Sequence, residues 1–520
     1  MGGEFFMRKV LRKISILMVA LLLATGIAGC KAKNSGNTKS ADGAKGESPT
    51  EISIFFDSTS TTCNRSNTAL IKEVEKKSNT KIKIVEAPSG EGTQKLNLLI
   101  SSGNCPDIVK TGLVTINKYG TEDAMYPMQE VIDKYMPNVK NALNDDIIKK
   151  LEASNNKLYV VPFIRDIGYS GFFVRQDWLG KLGLSIPKTL DEYYKMLKDF
   201  TEKDPDGNGK KDTFGTTLTE NLGRFELMCG PFGLPANDFV MGDDGNLILS
   251  SVHPKMKEAL AFGAKLYKEG LIDPEFSTLK GQLYEEKVTN NKIGVMTNPS
   301  SMATKYESEL KKTVPDAKYQ IFDVPVAEGV KKGISATSSI IEGTNGKSID
   351  GQIGISKTTK HLEAVAKFID WNFTSEAEKL WTYGIEGTHY TMENGKPKFK
   401  PEYFGPDKVA NRQQQGLWDQ YKLCGFYDQR TDGYPQVWAP DTIKNIVGTL
   451  SSAYPKLVYF STPTGETASG EIGKARLENF TKIIMGSVSV DDGWNQWLKD
   501  FDRLSGNKWT KEVNDAYKSR

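Results

Sequence analysis

From Glu51 to Val109 the chain alternates between two hydrophobic periods, and no other feature limits the fold as strongly. Glu51, Ile52, Ser53, Ile54, Phe55 and Phe56 read as a strand. Leu70, Ile71 and Val74 share one helical face, and Lys81 to Glu86 read as a second strand. A further helix carries Leu96, Leu98, Leu99 and Ile100, and Pro106, Asp107, Ile108 and Val109 open a third strand. Consecutive strands can lie parallel only when a crossover returns the chain, and a helix of this length supplies one. The pattern therefore predicts an α/β fold with a parallel sheet flanked by helices.

The residues before Glu51 are of another kind. Arg8, Lys9, Arg12 and Lys13 precede an uncharged run of 16 residues, Ile14 to Gly29, that ends in Ile27, Ala28, Gly29 and then Cys30. Charge, an apolar run and small residues, in that order, describe a secretory signal, and the run is shorter than the ~20 residues that span a bilayer. Small side chains directly before a cysteine are similar to the bacterial lipobox, in which the thiol receives lipid and the cysteine becomes the first mature residue. Residues 1–29 are read as a lipoprotein signal peptide, with Met7 as an alternative start, and Cys30 as the lipidation site. Lys31 to Pro49 contains no large apolar residue and cannot bury enough surface to offset its ordering entropy. Residues 30–50 are thus a flexible tether, of roughly 24 Å root-mean-square span for a coil of this length, between lipid bilayer and folded body.

Beyond the tether the chain is too long for one hydrophobic core, and its length predicts two or three domains. Lys and Arg total 68 and Asp and Glu 65, a net charge of +3, so no global field draws the protein to nucleic acid or to an anionic membrane surface. No second apolar run reaches membrane length, which places the body outside the cytoplasm, on the far side of the membrane its signal crosses. Cys63, Cys105, Cys229 and Cys424 have wide, irregular separations that fit neither a zinc site nor a disulfide-dense scaffold. Bridges and buried free thiols are both open readings for them.

Further along, Tyr169 to Val174 read as a strand leading to Asp177, Trp178 and Leu179. A helix then starts at Thr189, where Thr189 and Glu192 make a capping box and Leu190, Tyr193, Leu197 and Phe200 form one apolar face. Leu362, Val365, Ala366, Ile369 and Phe373 share another face, and Ser375 with Glu378 is read as the cap of the next helix.

The sharpest motif of the mature chain is Asp204-Pro205-Asp206-Gly207-Asn208-Gly209-Lys210-Lys211-Asp212-Thr213. Oxygen ligands at alternate positions (Asp204, Asp206, Asn208), a turn glycine at Gly209, the Lys210 carbonyl and the Asp212 carboxylate match the first part of a calcium loop. Gly215 stands where such a loop has its bidentate Glu, so Thr213, an outside residue or water completes the shell. An Asx-rich surface turn has the same composition, and the expectation carried forward is a structural calcium ion.

Catalytic signatures are sparse. The three histidines, His253, His361 and His389, show no H-E-x-x-H spacing, there is no G-x-S-x-G elbow, and Gly343 to Ser348 lacks the first glycine of a phosphate loop. Aromatics are more informative. Trp371, Trp381, Tyr383, Tyr390, Tyr403, Phe404, Trp418, Tyr421, Phe426, Tyr427, Tyr434 and Trp438 interleave with Asp, Asn, Gln and Arg. Sugars present flat C–H faces and a rim of hydroxyls, which stacking rings and planar polar side chains match. Trp371, on an apolar helix face, reads as core; Trp418 and Trp438, in polar segments rich in turns, read as exposed platforms.

Taken together, these segments resemble the extracellular solute-binding proteins of ABC importers, in particular the long lipid-anchored subgroup that takes oligosaccharides and includes the alginate-oligosaccharide-binding proteins. The segments that carry the likeness are KLNLLISSGNCPDIV (Lys95 to Val109), YVVPF and GFFVRQDWLGKLGLSIPKTLDEYY (within Tyr159 to Tyr194), DPDGNGKKDTFG (Asp204 to Gly215), KIGVMTNPS (Lys292 to Ser300) and YGIEGTHYTMENGKP (Tyr383 to Pro397). The resemblance implies a two-lobe periplasmic-binding-protein-like fold with an interlobe cleft and hinge crossings. One lobe would take 51–168 and 319–381, the other 169–318 and 382–520. It also implies calcium at Asp204, Asp206, Asn208, Lys210 and Asp212, with Thr213 where other members have an acidic residue. By cleft position it makes Phe56, Asp57, Arg165, Asp166, Glu386, His389, Trp418 and Trp438 candidates for ligand contact. The implied function is capture, without chemistry, of an oligosaccharide for delivery to ABC permease subunits, by a monomer anchored in the membrane through Cys30. A secreted carbohydrate-active enzyme and a sugar-sensing module for a membrane kinase are the rival readings.

Overall fold

Strands β1 (Thr50–Phe56), β2 (Thr80–Glu86) and β3 (Ile108–Thr111) alternate with helices α1 (Ala69–Ser78) and α2 (Gly92–Ser101), and α3 (Leu113–Thr121) comes after β3. β1 pairs in parallel with β2 from Thr50↔Thr80 to Phe56↔Glu86, and with β3 from Ile54↔Ile108 to Phe56↔Lys110. The first crossover helix is capped at both ends. The Thr68 hydroxyl accepts the Ile71 N–H, and Asn79 ends α1 in the left-handed region at φ 51°. Three more strands complete this sheet in the order β15-β4-β12-β3-β1-β2, where β4 is Val161–Asp166, β12 Lys347–Ile355 and β15 Gly425–Tyr427. Only β12 runs against the others; β4 and β15 lie parallel to each other. Ile52, Ile54, Phe55, Ile108, Val109, Ile353 and Ile355 are all fully buried in one core, as expected of strands covered on both faces.

A second sheet of four strands has the order β10-β5-β9-β6, with β5 Ser170–Arg175, β6 Phe214–Thr216, β9 Ile293–Pro299 and β10 Tyr319–Phe322. β5 is antiparallel to β9 and β10, while β6 is parallel to β9. Side chains of β5 alternate between two cores: Phe172 and Val174 on one face, Phe173 on the other. Helix α4 (Leu190–Glu202) covers the first of these cores with Tyr193, Met196, Leu197 and Phe200, behind the Thr189–Glu192 capping box. The chain is described at residues 48–57, 68–88, 91–166, 170–338, 347–403, 408, 411, 414–417, 425–427, 453–458 and 460–519 of a computed structural model. Pro49–Arg520 form one unit.

β7 (Phe239–Met241) and β8 (Leu247–Leu249) form a hairpin, as do β13 (Tyr390–Glu393) and β14 (Lys396–Phe399), and β11 (Ala336–Ser338) pairs in parallel with β16 (Ala453–Pro455). Each strand of the β11–β16 ribbon lies in the chain between a strand of one large sheet and an element of the other body. Helix α5 (Pro463–Ile484) comes after β16 and touches both bodies. Its first turn reaches the first body, where Glu466 accepts from the Ser154 N–H (3.2 Å) and hydroxyl (3.0 Å). Its length buries Ile472, Phe480, Ile483 and Ile484 in the second core.

Three sequence expectations shift here. β10 sits in the second sheet rather than with the first lobe, because Phe322 pairs with Phe172 and buries in the same core. Within 382–520, β15 joins the first sheet, and Leu417 packs in the first core with Ile385, Phe399 and Tyr403 against it. The cap of the helix at Ser375–Tyr383 is Thr374, whose hydroxyl accepts from the Ala377 N–H, so Ser375 is its first helical residue. Cys105 and Cys229 are free and buried.

Candidate functional site

Five of the six strands of the first sheet point the same way, so their carboxyl ends make one edge, the usual place for a ligand in an open α/β sheet. Phe56 ends β1 and Asp57 comes directly after it. The Thr111 hydroxyl at the end of β3 donates to Asp57 Oδ2 at 2.9 Å. Lys110 Nζ lies 5.8 Å from the Phe56 ring centre and 5.9 Å from that of Phe163 on β4, within cation–π range of both. Arg165 and Asp166 end β4, opposite Ser348 and Lys347 at the start of β12. The fold thus brings Phe56 and Asp57 to the same edge as the backbone of Arg165 and Asp166. Lys110 and Thr111 join them without having been expected; the signal for them was their place directly after the Ile108–Val109 strand.

A cavity of about 420 Å³ adjoins this edge. The first body supplies Leu151 and, after β3, Gly112, Leu113 and Val114, with Ile349 and Gln352 of β12, and the second supplies Asn237, Asp238, Phe239, Leu249 and Trp509; seven residues from Lys456 to Ser469 line the rest. The Asp238 backbone is clamped: its N–H donates to the Ser250 hydroxyl (3.1 Å), and its carbonyl accepts the Ser250 N–H (2.8 Å). Asp238 Oδ1 accepts the Phe239 N–H at 2.8 Å, and Lys456 Nζ stands 3.6 Å from Oδ2. Burial pushes the Asp238 carboxyl above the usual range, and Lys456 opposes that shift.

The remaining candidates are placed differently. Glu386 is exposed on the turn before β13. His389, expected to face ligand, is fully buried, because it serves the same turn. Its Nδ1 accepts the Ile385 N–H at 2.9 Å and its ring meets Tyr403 edge-on at 4.9 Å. Gly384, at φ 82°, leaves room for that imidazole; a Cβ there would lie 2.5 Å from Nδ1. Burial pulls the His389 pKa down to about 4. Trp371, read as core, stacks on Phe368 but is only partly buried, packed against the first core. Cys30, Trp418 and Trp438 lie outside the described residues.

The acidic loop joins α4 to β6. The Asn208 amide nitrogen donates to Asp206 Oδ2 (2.8 Å) and Asp212 Oδ1 (3.1 Å), and Lys292 Nζ donates to Asp212 Oδ2 at 2.5 Å. Asp204 accepts the backbone N–H of Asn208 and Gly209, the latter at φ 76°. Positive charge and N–H dipoles therefore gather where carboxylates meet. Burial and the neighbouring Asp204 hold Asp206 above the ordinary carboxylate range, and its buried Oδ1 has no hydrogen-bond donor among the described residues. That bare oxygen and the hard-oxygen donor set fit a calcium ion. Among the described residues no three His, Cys, Asp or Glu side chains already stand as a metal cluster. Thr213 turns away: its buried hydroxyl donates to the Phe200 carbonyl at 2.8 Å.

Residues 65–379 match the model of a family described as bacterial extracellular solute-binding protein. The chain belongs to that family. Lipoprotein LipO of Bacillus subtilis is 29% identical over an alignment covering 96% of this chain and 98% of LipO. FusA of Streptococcus pneumoniae, a fructooligosaccharide ABC transporter substrate-binding protein, is 29% identical over 56% of this chain and 55% of its own. Among solved structures, the alginate-binding protein AlgQ2, crystallised without calcium, superposes with a TM-score of 0.74 at 22% identity, covering 91% of this chain and 98% of AlgQ2. The family and this likeness establish the two-lobe binding-protein fold, with the two sheets as the cores of its lobes.

Proposed function

We propose that this protein is a lipid-anchored receptor that captures an oligosaccharide outside the cell and hands it, unaltered, to the permease of an ABC importer. The observation that carries the reading is the interlobe cavity beside an edge furnished with Asp57, Lys110 and Thr111, in a chain of this family. Rings and polar groups from two lobes meet on a guest only when the lobes close, so ligand shifts the population towards a closed form that the permease recognises. The names of the relatives support a carbohydrate ligand, FusA by fructooligosaccharide and AlgQ2 by alginate. Cys30 holds the receptor at the outer face of the membrane, and 30–50 let it turn there.

Calcium belongs to the same proposal. Asp204, Asp206, Asn208, Asp212 and the Lys210 carbonyl would hold it, and it would brace the loop between α4 and β6, with no part in ligand chemistry. Support comes from the bare Asp206 oxygen and from a solved FusA variant described as an EF-hand mutant.

The test is isothermal titration of the purified body with a panel of oligosaccharides, and then chromatography of the recovered sugar. The receptor reading expects heat from at least one sugar and its return at full length. A panel without response, or a shortened product, defeats it.

A further inference from the structure

The Asp238–Lys456 pair is held more loosely than another charge pair of the second lobe. Arg175 and Asp177, for comparison, close on each other through two hydrogen bonds of 2.8 and 2.6 Å. Asp238 is just as firmly held at its backbone and at Oδ1, yet its Oδ2 faces an ammonium 3.6 Å away, beyond hydrogen-bond length. Such a separation leaves each group with unused capacity inside a cavity of small-molecule size, which spans about 300–1,000 Å³ in general. A hydroxyl both donates and accepts, so one sugar hydroxyl, or a vicinal pair, can satisfy Oδ2 and Nζ together. The charges of the cavity wall decide what else the guest carries. Among the described residues, Asp238 and Lys456 are the only ionisable side chains that line it, and they cancel. No arginine among those residues is there to grip a carboxylate bidentately, and a guest carboxylate would meet the buried Asp238 charge at short range. Trp509, partly exposed and edge-on to Phe239 at 5.1 Å, adds an aromatic wall for a C–H face.

Resting on the receptor reading above, we infer that this cavity seats one uncharged sugar unit of the ligand, with Asp238 Oδ2 accepting from its hydroxyls and Lys456 Nζ donating to them, and that it rejects a uronate. Asp238 and Lys456 therefore decide between neutral and acidic oligosaccharides.

Titrate the full soluble body with kestose, galactotriose and maltotriose, and separately with oligogalacturonate and alginate trimers. The expected result is binding of at least one neutral probe and of neither uronate. Asp238→Asn and Lys456→Met should each weaken the neutral probe at least tenfold while the melting temperature stays close to that of the parent. Lys456 is partly exposed, so its variant keeps the test open if Asp238→Asn does not fold. Uronate binding by the parent without neutral binding overturns the inference and leaves the receptor reading intact. Unchanged affinity in either folded variant also overturns it. Silence towards every probe is a failure of the receptor reading itself.

Discussion

The two sheets bury polar chemistry in opposite ways. At the carboxyl edge of the first, Asp57, Lys110 and Thr111 sit beside a cavity, with Lys110 partly exposed between two rings. At the end of β5 in the second, Arg175 is fully buried, bridged twice to Asp177 and stacked on Trp178 at 4.6 Å. The first arrangement borders the cavity, whereas the second is closed within the protein, where the Arg175 guanidinium meets Asp177 and Asn291. If the first edge meets the ligand as proposed, substitutions at the two strand ends should separate binding from stability.

The largest effect belongs to the closed pair. Asp177→Ala strands a buried guanidinium and should cost about 3–5 kcal/mol in urea unfolding, with ligand affinity of the folded fraction unchanged. An equal loss of affinity would erase the distinction between the sheets.

Next comes the turn held by His389. Its folded pKa is about 4 against an unfolded value near 6.5, so below the latter the unfolded chain binds a proton that the folded one refuses. Stability should fall as pH drops from about 6.5 to 4, by at most about 3 kcal/mol from this residue, and His389→Gln should flatten that part of the profile. A variant with the parent's slope would show that His389 does not carry it.

Opening the first edge should act on binding. Asp57→Ala is expected to weaken the ligand about tenfold, or about 1.4 kcal/mol, with less than about 1 kcal/mol lost in stability. The reverse split would mean that Asp57 is a structural partner of Thr111 and no more.

The smallest effect is expected at the acidic loop, which lies on the second lobe. Chelation should lower the melting temperature by a few degrees, on the order of 1 kcal/mol, and Asp206→Asn should abolish that response. A parent indifferent to chelator would leave an Asx-rich turn.

Legibility in the chain tracks the range of the forces involved. The β1–β3 unit was legible because each strand is joined to the next by its own helix and shows its apolar period locally. The Thr189–Glu192 cap is likewise formed within a few residues, as are the hydrogen bonds of the Asp204–Asp212 turn. β12 was not, since it enters between β3 and β4 from far along the chain, guided by burial of Ile353 and Ile355. Placing β10 in the wrong lobe has the same origin. At the site, Phe56 and Asp57 were visible as a strand end, while Asp238 and Lys456 meet only through tertiary packing. His389 misled because a lone histidine in a polar turn looks the same whether it serves a guest or the backbone of Ile385.

Small-angle scattering of the soluble body, with and without the oligosaccharide that titrates it, puts the central claim to the most direct trial. Closure of two lobes on a shared guest predicts a smaller radius of gyration at saturation. An unchanged radius at full occupancy would contradict it.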